Sequence, residues 1–325
     1  MQAIQLNQFG DYDQLTLVDL PKPEASMGKV LVKMIAAAIN PLDNTVRLGH
    51  FPYAKQLPLI LGNEGMGTIV DAGDSNFTIG TRVMISGGFG VFQDGTWQEY
   101  IAADPQALVA IPDNVSDEAA AGTPVAYLTA QLALNKAGFT AGQIVVAPAI
   151  GGSIGNAVVQ LAVAQGASQV ITTAGSTAKA TRAKLLGYTD VIDLSQESLR
   201  TGVGRLTSGG GGNIAIDSVG GTITGELLAS LKQGGTLVTL GYTAGLEVNI
   251  NLMDLLSKVL HLKGFNLFLE SPEAVGTAFT TIVNLLREGK IKPVVDRVFP
   301  LSEAANAQRY LIENRPFGKV LLKFN

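Results

Sequence analysis

Cysteine is absent from all 325 residues, and histidine occurs only as His50 and His261. No disulfide framework, thiolate nucleophile or thiolate zinc site can be built from such a chain, nor can a three-histidine metal centre. Charge is sparse too, at 15% of residues, and 23 Lys+Arg against 27 Asp+Glu leave a net −4. Without a basic surplus, a nucleic acid or an anionic membrane surface is not an expected partner. Long apolar runs are missing: the best candidate, Ala119 to Leu134, is interrupted by Thr123, Pro124, Thr129 and Gln131 and is too short to span a bilayer. The start, Met1-Gln2-Ala3-Ile4-Gln5, has no basic segment followed by an apolar run, so a cytoplasmic protein without a secretory signal is expected. Apolar residues (46%) and glycines (38) are plentiful. The former exclude disorder as the overall state, and the length suggests about two domains.

Short β-branched runs bounded by turn residues fill the first hundred positions, among them Lys29-Val30-Leu31-Val32-Lys33-Met34 and Gly67-Thr68-Ile69-Val70. Their spacing predicts a barrel-like β domain. At Ser116-Asp117-Glu118 the pattern changes to a capped, Ala-rich helix. From residue 143 strands and helices alternate. Strands are expected at Gln143–Ala147, Gln169–Thr173, Asp190–Ile192, Asn213–Ile216, Gly235–Leu240 and Leu260–Phe268. Six strands with intervening helices predict an α/β doubly wound, mostly parallel sheet. After a helix at Pro272–Arg287, the tail from Val294 returns to strand character and ends in Lys319-Val320-Leu321-Leu322-Lys323.

Between the first strand and helix of that α/β half lies Ala149-Ile150-Gly151-Gly152-Ser153-Ile154-Gly155. Such a turn lets backbone approach a pyrophosphate, whose charge the free N–H groups of the following helix can meet. Against G-x-G-x-x-G the first glycine is replaced by Ile150. Its place between strand and helix nevertheless points to a dinucleotide site. A site for NAD would carry an acid after the second strand. Here that strand ends in Thr173-Ala174-Gly175-Ser176-Thr177-Ala178-Lys179. A hydroxyl and a cation suit the 2′-phosphate of NADPH, although Lys179 also reads as a solvated helix residue.

Six segments in this order resemble one family along nearly the whole chain. They are Ala38-Ile39-Asn40-Pro41-Leu42-Asp43, Leu57 to Gly65 containing Gly62-Asn63-Glu64-Gly65, Leu128-Thr129-Ala130, the glycine turn, Asp217-Ser218-Val219-Gly220-Gly221, and Gly318-Lys319-Val320. The family is the zinc-independent quinone oxidoreductases, the zeta-crystallin-like branch of the medium-chain dehydrogenase/reductase superfamily. The resemblance implies a Rossmann domain inserted into a GroES-like β-barrel domain, with nicotinamide in the interdomain cleft. The domains would be 1–122, 123–268 (Rossmann, NADP-binding) and 269–325, the return to the first. Zinc alcohol dehydrogenases of the superfamily carry Cys at the position of Asn40 and His at that of Asn63. With both replaced, no metal site is expected, and alcohol oxidation loses its Lewis acid.

By the same resemblance, Asn40 faces nicotinamide and substrate, and Thr129 meets the carboxamide end. Val219, Gly241, Tyr242, Phe265 and Leu267 wall the cofactor. Gly151, Gly152, Ser153, Ile154 and Gly155 form its phosphate turn, Thr173, Ser176 and Lys179 the 2′-phosphate side, and Lys319 lies near it. Asn40 also reads as a loop cap, and Asp43 as a structural carboxylate. Relatives often place Tyr where Leu194 stands. The expected reaction is hydride transfer from NADPH to a small-molecule quinone or enone, with Asn40 among the donors that stabilise the resulting anion. Two alternatives stay open. One is an enoyl-thioester reductase using Tyr53 as proton donor; the other is an NADPH-binding protein without turnover. His261 reads as a core residue. The apolar strand Leu260–Phe268 would lie at a sheet edge, so a homodimer joined there is expected.

Overall fold

Runs of β-branched and apolar residues become strands wherever glycine or proline punctuates them. In chain order these are β1 (Gln2–Leu6), β2 (Leu15–Asp19), β3 (Val30–Ile39), β4 (Leu59–Ile60), β5 (Glu64–Asp71), β6 (Arg82–Ser86), β7 (Tyr100–Ala103) and β8 (Leu108–Ala110). There follow β9 (Ile144–Ala147), β10 (Gln169–Ala174), β11 (Val191–Asp193), β12 (Gly212–Asp217), β13 (Leu231–Thr239) and β14 (His261–Gly264), and finally β15 (Val295–Pro300) and β16 (Lys319–Lys323). This computed structural model describes residues 1–25 and 28–324. They divide into two units, Met1–Val125 with Pro293–Asn325, and Ala126–Lys292. The helix Pro272–Arg287 thus belongs to the second unit, whereas the sequence reading assigned it to the returning segment. Its buried face of Ala278, Phe279, Ile282, Leu285 and Leu286 makes it a packed element of that unit rather than a connector.

In the first unit β3 is the spine. It is buried along nearly all ten residues and lies within a seven-stranded sheet ordered β15-β16-β3-β5-β6-β8, with β7 also paired to β3. A smaller sheet, β2-β1-β4, completes the unit. Registers decide what meets at the end of β3. Val320 of β16 lies opposite Ile39, and Gly65 of β5 lies opposite Ala37. The first residues of β16 and β5, Lys319 and Glu64, are therefore delivered to Asn40, immediately after β3. The core beneath is filled by Trp97, Met34, Met66, Met84 and Ile85, all essentially inaccessible.

The second unit is the doubly wound sheet: six strands, every pair parallel, in the order β11-β10-β9-β12-β13-β14. The order reverses between β9 and β12, and in open α/β sheets ligands bind outside the carboxyl ends of the strands at that point. Val146, Ile171, Ile192, Ala215 and Leu237 from five successive strands pack with Leu227 and Leu228 into its core. The sixth strand is shorter than expected. It stops at Gly264, and Asn266 caps a following 3-10 turn by accepting the Phe268 N–H at 3.1 Å. Every residue of β14 is exposed, so His261 stands in solvent and not in the core.

Candidate active site

In the second unit the chain leaves β9 through Pro148 and Ala149, and Ala149 takes the left-handed slot at φ +62. Two hydrogen bonds pin this turn to Thr173. Ala149 N–H donates to its hydroxyl at 3.0 Å and Ile150 N–H to its carbonyl at 2.9 Å. Thr173, expected on the cofactor, is buried and braces the turn. The helix Ser153–Ala164 then starts at Gly152, which has no side chain to cap it. The N–H groups of Ser153, Ile154 and Gly155 consequently have no protein acceptor among the described residues. Gly155 is obligatory: a Cβ there would stand 2.3 Å from Pro148 O and 2.5 Å from Ala149 O, both backbone. Three successive residues thus present an uncapped, positively polarised helix start.

Loops at the carboxyl ends of β12 and β13 are held by one carboxylate. Asp217, fully buried, accepts Val219 N–H and Gly220 N–H at 2.9 Å each and the Thr224 hydroxyl at 2.6 Å. Gly241 lies so close to this loop that a Cβ would meet Ser218 O at 2.0 Å. Val219 and Gly241 are in this way brought together, while Tyr242 is largely exposed. Thr129 sits buried in the helix Pro124–Ala137. Phe265 follows β14, its N–H bonded to Thr239 O at 3.0 Å, and Leu267 opens the short 3-10 turn. Ser176 caps the helix Thr177–Leu185 by accepting the Lys179 N–H, so its oxygen has a structural task as well. Sequence reasoning missed Asp193. It ends β11 opposite Ala174, and Thr177 donates to it at 2.6 Å. Hydroxyl bonds from Ser195 and Thr177 hold its carboxyl below the usual range.

In the first unit, five polar side chains are buried together where β3, β5 and β16 meet: Asn40, Asp43, Asn63, Glu64 and Lys319. Lys319 (3% exposed) pairs with Glu64 Oε1 (0%). The Lys319 ammonium also donates to Asn40 Oδ1 at 2.7 Å. Asn40 Nδ2 donates to Glu64 Oε1 and to Asn63 Oδ1, each at 2.8 Å, while Glu64 Oε2 accepts the Val125 N–H at 2.6 Å. Asn40 and Lys319 are therefore spent on each other and on Glu64 rather than turned outward. This is how a charge is tolerated inside: paired, with its remaining valences bonded. Nothing in the local sequence signals the trio, since each partner arrives on a different strand.

Asp43 accepts the Asn40 N–H at 2.7 Å. Burial pushes its carboxyl up to about 7, with Glu64 adding repulsion while the backbone bond from Asn40 and the Lys319 charge pull the other way. A carboxyl raised in the folded state stabilises fully below its unfolded value of about 4 and loses that contribution as pH climbs through the folded value. The urea midpoint of the wild type is thus expected to fall, relative to Asp43→Asn, between about pH 4 and pH 7 and to level off above. Parallel profiles for the two proteins would show that the charge on Asp43 is not felt. Tyr53, by contrast, is 77% exposed and rests edge-on against Phe51, away from this buried group.

Models of two domain families match the chain: an alcohol dehydrogenase GroES-like domain over residues 26–113 and a zinc-binding dehydrogenase over 186–322. Quinone oxidoreductase-like protein 2 of Rattus norvegicus is 31% identical over 314 residues, 95% of this chain and 88% of that protein. An NADPH-dependent alkenal/one oxidoreductase of Arabidopsis thaliana chloroplasts is 29% identical over 333 residues, 99% of this chain and 79% of the relative. A mycobacterial protein solved in complex with NADPH superposes with a TM-score of 0.86 at 28% identity, covering 99% of this chain and 100% of that one.

Proposed function

Because the chain belongs to the quinone oxidoreductase-like branch of the medium-chain dehydrogenase/reductase superfamily, and so is an oxidoreductase, we propose that it reduces a quinone or an α,β-unsaturated carbonyl with NADPH and without zinc. The observation that carries this reading is the uncapped helix start at Gly152, with three N–H groups free on a turn at the switch point of the sheet. Those N–H groups would hold the pyrophosphate, Ser176 and Lys179 the 2′-phosphate, and Thr129, Val219, Gly241, Tyr242, Phe265 and Leu267 the nicotinamide half. When bound, NADPH supplies a hydride. Zinc lacks a ligand set: Asn40 and Asn63 offer amides, and among the described residues no three His, Asp or Glu side chains are grouped to hold a metal ion.

Arrival of hydride at the β-carbon of an enone shifts the C=C electrons toward the carbonyl, leaving negative charge on its oxygen. A proton from water then completes the saturated ketone; a quinone gives the hydroquinone by the same count. The protein's task is to position the acceptor and to offer donors to that oxygen. Purified protein is expected to oxidise NADPH with several quinones or enones, and Lys179→Ala is expected to weaken NADPH binding about tenfold while leaving NADH unchanged. No oxidation of either nucleotide across a broad acceptor panel overturns the reading, as does activity that vanishes with removal of stoichiometric zinc.

We extend the reading to assembly. Among the described residues β14 has no second neighbour, and Leu252, Met253, Leu256 and Leu262 stand exposed on it and on the preceding helix. An open, apolar edge is a template for pairing, so two copies joined through β14 are proposed. Sedimentation is expected to give twice the chain mass, and Leu262→Lys to return it to one chain; a wild-type monomer at micromolar concentration removes the dimer. Among the described residues no helix is long and apolar enough to cross a membrane.

A further inference from the structure

The buried group in the first unit is a chain of hydrogen bonds with a direction. Lys319 can only donate, so Asn40 must turn its oxygen toward the ammonium, at 2.7 Å. The Asn40 nitrogen then meets two acceptors, Glu64 Oε1 and Asn63 Oδ1, at 2.8 Å each. Both Asn40 protons are spent, and Asn63 is fixed with its oxygen inward. Its nitrogen is the end left over. Asn63 is only 2% exposed, yet among the described residues its Nδ2 has no acceptor. Among the described residues, the sealed side-chain polar atoms without a partner are Tyr127 Oη and Gln308 Nε2. Asn63 Nδ2 is not among these sealed atoms, and its two N–H bonds are left for an acceptor that the described residues do not supply.

We infer that Asn63, not Asn40, is the catalytic amide of this enzyme: its two N–H bonds receive the carbonyl oxygen of the quinone or enone and hold the charge that develops there. Asn40, Lys319 and Glu64 are positioning residues. They fix the orientation of the Asn63 amide, which nothing else in the cluster determines. In a water-poor interior successive amides polarise one another, and the ammonium at the head draws electron density along Asn40 and Asn63, which strengthens the terminal N–H as a donor. Glu64 balances the ammonium directly, its Oε1 accepting from both Lys319 and Asn40, and leaves the Asn63 nitrogen untouched. An oxygen anion that appears only as hydride arrives is the acceptor such a donor favours most.

This inference rests on the reductase reading above, and the test separates the two. Asn63→Ala and Asn63→Asp are expected to lower kcat for quinone or enone reduction about 10²–10³-fold with NADPH affinity unchanged. Asn63→His, which keeps an N–H donor, is expected to retain more of the rate than either. A second readout needs no turnover. Binding of 4-nitrophenolate, an oxygen anion followed by its visible absorbance, is expected to weaken about tenfold or more in Asn63→Ala, as for loss of a charge-assisted hydrogen bond. A folded Asn63→Ala protein that keeps both its rate and its phenolate affinity overturns the inference. Equal losses of rate, phenolate affinity and melting temperature in all three variants also overturn it, because that pattern belongs to a packing residue. A wild type that reduces no acceptor with NADPH sinks the parent reading instead, and the phenolate titration still decides whether Asn63 holds an oxygen anion.

Discussion

Lys319→Met is expected to destabilise the first unit by about 3–5 kcal/mol, the usual consequence of removing one partner from a buried ion pair. Methionine keeps the volume and the apolar stem but leaves Glu64, with no exposed surface at all, facing an uncompensated charge. Asn40 Oδ1 loses its donor at the same stroke. Glu64→Gln alone is expected to be costly for the mirror-image reason, stranding the ammonium. The double variant Lys319→Met/Glu64→Gln is expected to recover much of the loss, since a neutral pair strands no charge. Urea unfolding of the four proteins gives the cycle. If the single variants unfold within about 1 kcal/mol of the wild type, the pair is not desolvated in solution and the buried network described for this unit is wrong.

The second large effect is expected at Gly155. Its Cβ position is closed by two backbone oxygens, Pro148 O at 2.3 Å and Ala149 O at 2.5 Å, and backbone cannot swing aside as a side chain can. Gly155→Ala must therefore displace the start of the helix from the end of β9, and the three free N–H groups move with it. Loss of NADPH affinity of about 100-fold, near 3 kcal/mol, is expected, with a lower melting temperature. Gly152→Ala is the contrast. Its Cβ would stand 3.3 Å from Ala149 O, a contact that a small shift relieves, so a change of no more than about tenfold is expected. Calorimetric titration with NADPH separates them. Equal affinities for Gly155→Ala and the wild type would remove the helix start as the phosphate site.

Much of this molecule is legible in its sequence because periodicity and punctuation are local. The apolar runs at Ile144–Ala147 and Gln169–Ala174 could only be buried parallel strands, and Ser116 and Ser176 announce helix starts that they do cap. Parts of the site were not readable for the opposite reason. The missing first glycine of the turn is made good by Ala149 in a left-handed conformation, held there by Thr173 from the neighbouring strand. That Asn40 meets Lys319 and Glu64 cannot be read from its sequence neighbours; only the registers of β16 and β5 on β3 bring them in. Asp193 is not where an acid is expected for NAD, because it ends the third strand and not the second. His261 is exposed and not a core residue, because a strand at a sheet edge is left uncovered there.

The bond between Lys319 and Asn40 joins positions 279 residues apart. During synthesis, Asn40 and Glu64 leave the ribosome early, while the lysine that completes their environment follows only after the entire second unit has been translated. Until then Glu64 must remain hydrated, and β3 keeps an open flank where β16 will later lie. The inserted unit, Ala126–Lys292, is thus finished before the unit that surrounds it in sequence can be. A nascent chain of this protein matures from the middle outward.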